Sequence, residues 1–384
     1  MRERTIALFG AGKLTRELLK NKELSNKVEL IVDNNNQICG DTICNKRIKS
    51  LNDLTNIRDY YYVVTVYYSD IADQLNNLSL KEGDDYCSVD EWLYDECFVL
   101  PEDLRSESEL FCRVANKREY EDAIKNMKND FAYQDDLYRF YSKNASNFGV
   151  YRGFCAICNK QTFFRFYKYE DGQISWRETG TDMVCSCNSR IRYTFSYVMD
   201  NRNKDVYISE QVTPLYRELK KRIPSLIGSE YLTPGEKNRG KEIDGVRNED
   251  ATALSFQNES FDLMVYCDVF EHISEYKKAL KETHRCLKMN GKLFFTVPFY
   301  WDNDKSITRA YYDKDNDSVV HLLPPQYHGN PISEEGSLVF NEFGWDILDS
   351  IRDCGFREVN MIIYWSASQA YFSVGPGIAF EAVK

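Results

Sequence analysis

Three patterns in this 384-residue chain place reactive side chains at spacings that can do chemistry. The first is Cys155-Ala-Ile-Cys158, followed 27 residues after Cys158 by Cys185-Ser-Cys187. Thiolates at such spacing are soft ligands, and four of them in a tetrahedron hold zinc. Cys155, Cys158, Cys185 and Cys187 are the expected set, with a ribbon-like segment that has lost its metal as the alternative. The role would be structural, because four protein ligands leave no open position for water. The second pattern is a series of acids and histidines, namely Glu230, Asp250, Asp268, Glu271-His272, His321 and His328. Carboxylates accept hydrogen bonds without donating and suit a vicinal diol, and histidines can move a proton near neutral pH. The third is Gly10-x-Gly12-x-x-Thr15 with Asp33 about 20 residues on. That is a dinucleotide fingerprint with threonine in place of the last glycine, and it is weak when it stands alone.

Strand–helix alternation must position these groups. Thr5–Phe9, Val28–Val32 and Tyr61–Val66 read as strands, with helices over Thr15 to about Lys22 and Ile71–Leu78. Residues 101–150 carry Phe111, Val114, Tyr120, Ile124, Met127, Phe131, Leu137 and Phe140 at spacings near 3 and 4, which predicts one or two connecting helices. Val206–Ser209, Leu226–Glu230, Phe261–Asp268 and Lys292–Pro298 read as strands, and Pro214–Arg222, Tyr276–Leu287 and Trp345–Cys354 as helices. Val359–Trp365 and Gly377–Val383 close the chain as strands. Alternation of this kind implies parallel sheets with crossover helices, and ligands of such sheets bind at the carboxyl ends of the strands. Glu230, Asp250, Asp268 and His272 fall at those ends. Tyr300–Phe340 is a long connection, and long connections in compact domains tend to be binding loops. His328 and His321 lie on it.

The run Glu249-Asp250-Ala251-Thr252, Phe261-Asp262-Leu263, Asp268-Val269-Phe270-Glu271-His272 and Leu287-Lys288-Met289-Asn290-Gly291-Lys292-Leu293 resembles the class I S-adenosylmethionine-dependent methyltransferases of the methyltransferase type 11 kind. Tyr327-His328-Gly329-Asn330-Pro331 and Phe343-Gly344-Trp345-Asp346 resemble a subgroup that combines a cysteine segment with this domain. The resemblance implies that Glu230 accepts the ribose hydroxyls of S-adenosylmethionine and that Asp250, with Ala251 beside it, meets the adenine. It implies that Asp268–His272, Glu271 included, lines the methyl-donor side. The glycine-rich loop of the family is missing, since the first strand runs into Ser209-Glu210-Gln211-Val212-Thr213-Pro214. Glu210 and Gln211 would then contact the cofactor, or cofactor binding is weakened or lost. A general base is needed if the acceptor is a hydroxyl, and the candidates are His328, His321 and His272, in that order. In the subgroup a Cys-x-x-Cys lies between an Arg-Glu and an Asn-x-Arg. Counting from Arg177-Glu178 and Asn188-Ser189-Arg190, Cys185 takes the second position and Asp182 the first, so Asp182 is a further choice of fourth ligand.

At the other end, Asp33-Asn-Asn, Gly40-Asp-Thr-Ile43 and Ile48-Lys-Ser-Leu51 resemble small Rossmann-like modules attached to bacterial enzymes of sugar-nucleotide and surface-glycan modification. This implies one of three roles for Gly10, Gly12 and Asp33. They bind a nucleotide or nucleotide-sugar, belong to a docking module, or form a true nicotinamide site.

The expected fold class is therefore α/β, with two Rossmann-like domains joined by a helical connector and a small zinc-ribbon-like segment. The boundaries are 1–100 for the nucleotide-binding-like domain, 101–150 for the connector, 151–200 for the cysteine segment and 201–384 for the class I methyltransferase domain. Net charge is −11, with no basic block, which argues against a nucleic-acid partner and for a small-molecule or glycan substrate. Oligomeric state is left open. The first residues show no signal-peptide pattern. Val359–Phe380 is uncharged, but Asn360, Ser366, Gln369 and Pro376 interrupt it too often for a membrane span. A cytoplasmic location is expected, with the remaining cysteines reduced. The leading function is methyl transfer from S-adenosylmethionine to a saccharide or nucleotide-linked sugar. A non-catalytic binding protein on the same scaffold and a nicotinamide-dependent sugar oxidoreductase are the alternatives.

Overall fold

A computed structural model describes residues 4–66, 68–97, 109–127, 132, 135–139, 148–167, 174, 180–182, 184–330, 332–372 and 376–384. Phe131 and Phe140 of the expected connector, and Arg177-Glu178, lie outside the described residues. The chain forms two compact units that do not follow four consecutive blocks. One unit holds residues 1–108, 131–190 and 366–374; the other holds 109–130, 191–365 and 375–384.

The first unit is built on a six-stranded sheet. Its order is Thr42–Ile43, Lys46–Lys49, Val28–Val32, Thr5–Phe9, Tyr60–Val64 and Tyr86–Ser88. All neighbours are parallel except the first pair. Successive side chains alternate between the two faces of a strand. Leu8, Ile31 and Val63 thus enter one core, while Ala7, Phe9, Leu30, Val32, Tyr62 and Val64 enter the other. The expected helix after the first strand is split into Lys13–Lys20 and Lys22–Lys27, with the Asn21 side chain capping the second.

In the same unit Phe148–Cys155 and Lys160–Tyr167 pair as an antiparallel hairpin, and Thr181–Asp182 adds a third strand. Asp90, on the helix Val89–Cys97, receives Arg165 Nε at 2.7 Å and its second terminal nitrogen at 3.1 Å. Both side chains are buried. Burial pushes the Asp90 carboxyl above its ordinary value, and the two-point contact with Arg165 acts against that rise.

The second unit holds a seven-stranded sheet in the order Ile227–Gly228, Val206–Ile208, Phe261–Cys267, Leu287–Thr296, Gly377–Val383, Glu358–Ser366 and Glu109–Val114. The first four strands are parallel, and Gly377–Val383 runs antiparallel to both its neighbours. Glu109–Val114 corrects the expected helix there. Leu110, Cys112 and Val114 share one face at period two, which suits a strand, while the helix Lys117–Asn126 follows the 3-and-4 spacing and residues 135–139 are helical as well. The helix Pro214–Arg222 falls where the sequence places it. Tyr300–Phe340 is not a bare loop, since it contains the hairpins Ala310–Asp313 with Ser318–His321 and Tyr327–Asn330 with Ser333–Leu338.

A buried carboxylate lies within this sheet. Glu381 accepts from Lys292 Nζ at 2.9 Å, from Arg113 Nε at 3.1 Å and from the Tyr197 hydroxyl. Burial raises its pKa, but Tyr197, Lys292 and Arg113 outweigh that and hold it below the ordinary glutamate value.

Two outcomes follow from these buried charges. Asp90→Ala leaves the Arg165 guanidinium buried without its carboxylate and lowers stability by about 3–5 kcal/mol in denaturant titration. Glu381, with its lowered folded pKa, contributes stability above the pKa of an unfolded glutamate, and that stability is lost as pH falls through the folded value. Urea melts from about pH 7 down to about pH 3 show a shallower acid loss in Glu381→Gln than in wild type.

Candidate functional site

The carboxyl ends of the parallel strands in the second unit gather most of the expected cofactor residues. Strand Val206–Ile208 leads into Ser209–Thr213, the loop without glycine. No residue of this loop takes a positive φ, so ordinary side chains are tolerated without strain. The close approach is supplied by the neighbouring strand instead. A Cβ on Gly228 would lie 2.6 Å from the Glu210 carbonyl and 2.4 Å from the Tyr216 ring.

Glu230 fixes the loop. Its Oε1 accepts the backbone N–H of Gln211 at 2.7 Å and of Val212 at 3.0 Å. The Gln211 side chain in turn donates to the Gly245 carbonyl at 3.1 Å and accepts from the Arg247 N–H at 2.9 Å. Burial pushes the Glu230 carboxyl up, and the two N–H contacts oppose that rise. Its Oε2 meets no donor among the described residues, so it can accept from a hydroxyl. Glu210 sits in the loop with a buried Oε1. Asp250 Oδ1 accepts from the N–H and the hydroxyl of Thr252 at 2.8 and 2.7 Å, which shapes the turn carrying Ala251.

Sequence reading missed Tyr231. Its ring is 56% exposed. Burial first, and then the charge of Asp250, raise its phenol pKa, which places the two side chains near each other. An exposed ring directly after Glu230 is a surface on which a flat heterocycle can stack. Its position directly after the strand-end acid was the available signal.

The next strand, Phe261–Cys267, ends at Asp268, whose φ is +52°. Asp268 Oδ1 accepts from the Thr296 hydroxyl at 2.9 Å. The short turn Phe270–His272 follows. Glu271 is buried, His272 Nε2 lies 3.6 Å from its Oε1, and His328 Nδ1 lies 3.9 Å from the same atom. The two imidazoles meet edge to face at 5.1 Å. His272 Nδ1 bonds the Leu338 carbonyl at 2.8 Å. Burial, aided by His328, lowers the pKa of His272 against the pull of that carbonyl and Asp268, so the ring is neutral at pH 7. His321 does not join this group. It is exposed on the strand Ser318–His321, opposite Ala310.

Residues 225–295 match the model of a family described as a methyltransferase domain. The matched span runs from the Gly228 strand through Glu230, Asp250 and Glu271-His272 to the strand Leu287–Thr296. No curated protein matches the chain. Among solved structures, an S-adenosylmethionine-dependent methyltransferase from Mesorhizobium loti is similar at 12% identity, over 52% of this chain and 100% of that one, with a TM-score of 0.33. A methyltransferase from Methanosarcina mazei is similar at 14% identity, over 49% and 96%, with a TM-score of 0.29. The 1,6-didemethyltoxoflavin N1-methyltransferase of Burkholderia thailandensis is similar at 14% identity, over 51% and 78%, with a TM-score of 0.29. Among the described residues, no helix is long and apolar enough to cross a membrane.

The first unit holds the other expected sites. Gly10 has φ +120°, and a Cβ there would meet Val66 at 2.4 Å, so the turn requires glycine. Gly12 precedes the helix Lys13–Lys20 without a side-chain cap. Thr15, in place of the third glycine, donates to the Gly10 carbonyl and meets the Thr65 hydroxyl at 2.7 Å. Asp33 Oδ2 accepts the Ala11 N–H at 2.7 Å and Oδ1 the Asn35 N–H at 2.8 Å. One oxygen of Asp33 thus fastens the glycine turn and the other its own loop.

The cysteine cluster forms with one change of partner. Cys155, Cys158, Asp182 and Cys185 place one donor atom each within 4.8 Å of one another. Cys155 and Cys185 sulfurs are 3.8 Å apart, and Cys158 Sγ is 3.4 Å from Asp182 Oδ2. Asp182 is held by the Val184 N–H on its other oxygen at 2.7 Å. Cys187, expected as the fourth ligand, has its Sγ 3.2 Å from the Cys185 carbonyl, and its thiol also meets that of Cys185. Asp182-x-x-Cys185 reproduces the spacing of Cys155-x-x-Cys158, whereas one intervening residue, Ser186 at φ +56°, does not. Hydrogen bonding among the thiols, led by Cys155, raises the pKa of Cys158 and of Cys185. A divalent cation bound there would displace the thiol protons and be held by three thiolates and a carboxylate.

Metal analysis after purification without chelators is expected to find about one zinc per chain. Cys158→Ser and Asp182→Ala lower that content, and Cys187→Ser leaves it unchanged.

Proposed function

We propose that the protein transfers a methyl group from S-adenosylmethionine to an oxygen of a saccharide or nucleotide-linked sugar. The observation that carries this reading is the Glu230 carboxylate, with one oxygen holding the first loop and the other left to a hydroxyl. Around it, Glu210 and Gln211 border the loop, Tyr231 and Asp250 flank a place for the adenine, and Asp268–His272 lies at the next strand end. The match over residues 225–295 supports the donor. The backbone of residues 209–213, which has no left-handed residue, supports a loop that takes its shape without glycine.

Methyl transfer is a displacement at the sulfonium carbon, and holding donor and acceptor in line supplies much of the acceleration. An acceptor hydroxyl keeps its proton at neutral pH, so a base helps. His328 and His272, rather than the distant His321, suit that task. The acceptor class is supported by the segment 300–340, which exposes the rings of Tyr300, Tyr311, Tyr312 and Tyr327 as apolar faces with a polar tip.

The first unit is best read as a docking module that retains the shape of a nucleotide-sugar fold. Asp33 is committed to Ala11 and Asn35, which argues against its taking a nicotinamide ribose. The cysteine cluster is proposed to hold structural zinc, and the working compartment to be the cytoplasm.

Calorimetric titration with S-adenosylmethionine tests the donor site. Wild type binds, and Glu230→Ala and Asp250→Ala each weaken binding by about tenfold or more, equivalent to about 1.4 kcal/mol. Tyr231→Ala weakens it while Tyr231→Phe does not. No binding by folded wild type overturns the proposal.

A further inference from the structure

Glu271, His272 and His328 bring one donor atom each within 4.8 Å of one another. The two ring nitrogens stand 3.6 and 3.9 Å from Glu271 Oε1. These separations exceed hydrogen-bonding distance. They lie slightly above the spacing of ligands around a single ion, since bonds of about 2.1 Å meeting at about 110° put neighbouring ligands about 3.4 Å apart, so a bound ion would draw the three groups in by a few tenths of an ångström.

A second observation concerns the outer contacts. His272 bonds the Leu338 carbonyl through Nδ1, so Nε2 is the atom facing Glu271. A ligating histidine is characteristically fixed in this way, with its far nitrogen donating to a carbonyl or carboxylate. His328 faces Glu271 with Nδ1, while its Nε2 lies 3.4 Å from the Gln326 amide nitrogen, and ligation through Nδ1 requires that amide to turn its oxygen toward the Nε2–H. The same hairpin provides both parts, because Tyr327 pairs with Leu338 and His328 with Ser337. The turn itself is tied to the returning chain by the Phe340 N–H to the Glu271 carbonyl at 2.8 Å and by the Asn341 amide to the Ile273 carbonyl at 3.0 Å.

We propose that Glu271, His272 Nε2 and His328 Nδ1 bind one divalent transition-metal cation, with open positions for an acceptor hydroxyl. Two imidazoles and one carboxylate favour manganese, iron(II), cobalt or zinc over magnesium, which prefers oxygen alone. The site lies at the carboxyl edge of the sheet, where the proposed donor site also lies. The part concerning the acceptor rests on the methyltransferase reading. The cation lowers the pKa of a bound hydroxyl. The acceptor proton passes to water, the acceptor oxygen forms the new C–O bond, and the C–S bond of the donor breaks to release S-adenosylhomocysteine. His272 and His328 are then ligands first, and the need for a separate protein base falls away.

The test uses Mn²⁺, which thiolate sites take poorly, and follows the loss of the free-ion electron paramagnetic resonance signal on the full chain. Wild type and Cys155→Ser/Cys158→Ser bind about one equivalent. His328→Ala, on a half-buried hairpin position, and His272→Ala weaken binding at least about tenfold, with thermal melts confirming that each is folded. Absence of Mn²⁺ binding by wild type, or unchanged binding in both histidine variants, overturns the site. Parallel calorimetry with S-adenosylmethionine separates the two readings. Mn²⁺ binding without donor binding supports the metal site and overturns the methyltransferase reading, and donor binding without Mn²⁺ does the reverse.

Discussion

The contact on which the larger site depends is the acceptance of two backbone N–H groups by one oxygen of Glu230. A loop between a strand and a helix carries donors that need a partner once they leave bulk water. Glycine-rich loops commonly give those donors to a ligand. Here a protein carboxylate takes two of them, so Ser209–Thr213 is shaped before any ligand arrives. The arrangement needs no left-handed residue, and the close approach that glycine would have allowed in the loop is granted by Gly228 on the adjoining strand. Gln211 extends the clamp to Gly245 and Arg247, on the segment that leads to Asp250.

The second centre depends on a return of the chain. Glu271 and His272 are neighbours in sequence, but His328 arrives from a hairpin more than fifty residues later. What seats that hairpin is one backbone hydrogen bond, from the Phe340 N–H to the Glu271 carbonyl, and two side-chain bonds, between the His272 ring and the Leu338 carbonyl and from the Asn341 amide to the Ile273 carbonyl. The same strand that presents His328 pairs with the one whose carbonyl sets the ring of His272. A change of hairpin register by one residue would turn His328 to the opposite face.

The first unit shows a related economy. Asp33 and Thr15 close their own turn, so the features that resemble a nucleotide fingerprint are used internally. The cysteine hairpin is joined to the sheet's last helix through Asp90 and Arg165. Asp182 completes the cluster because it stands three residues before Cys185, as Cys155 stands three before Cys158.

By itself the sequence determined a great deal of the architecture. The apolar runs Thr5–Phe9, Val28–Val32 and Phe261–Cys267, the capped and proline-started helix at Pro214, and the strand-end acids Glu230, Asp250 and Asp268 are local patterns, and local patterns survive folding. Leu110, Cys112 and Val114 were hidden inside a longer helical rhythm, and only pairing at a sheet edge decided in favour of a strand. Three further matters were settled by tertiary structure alone. His328 rather than His321 joins Glu271 and His272, Asp182 joins Cys155, Cys158 and Cys185 in one cluster, and the two units interleave along the chain. In each case the outcome rests on contacts between residues far apart in sequence or on the direction of a side chain, and spacing along the chain encodes neither.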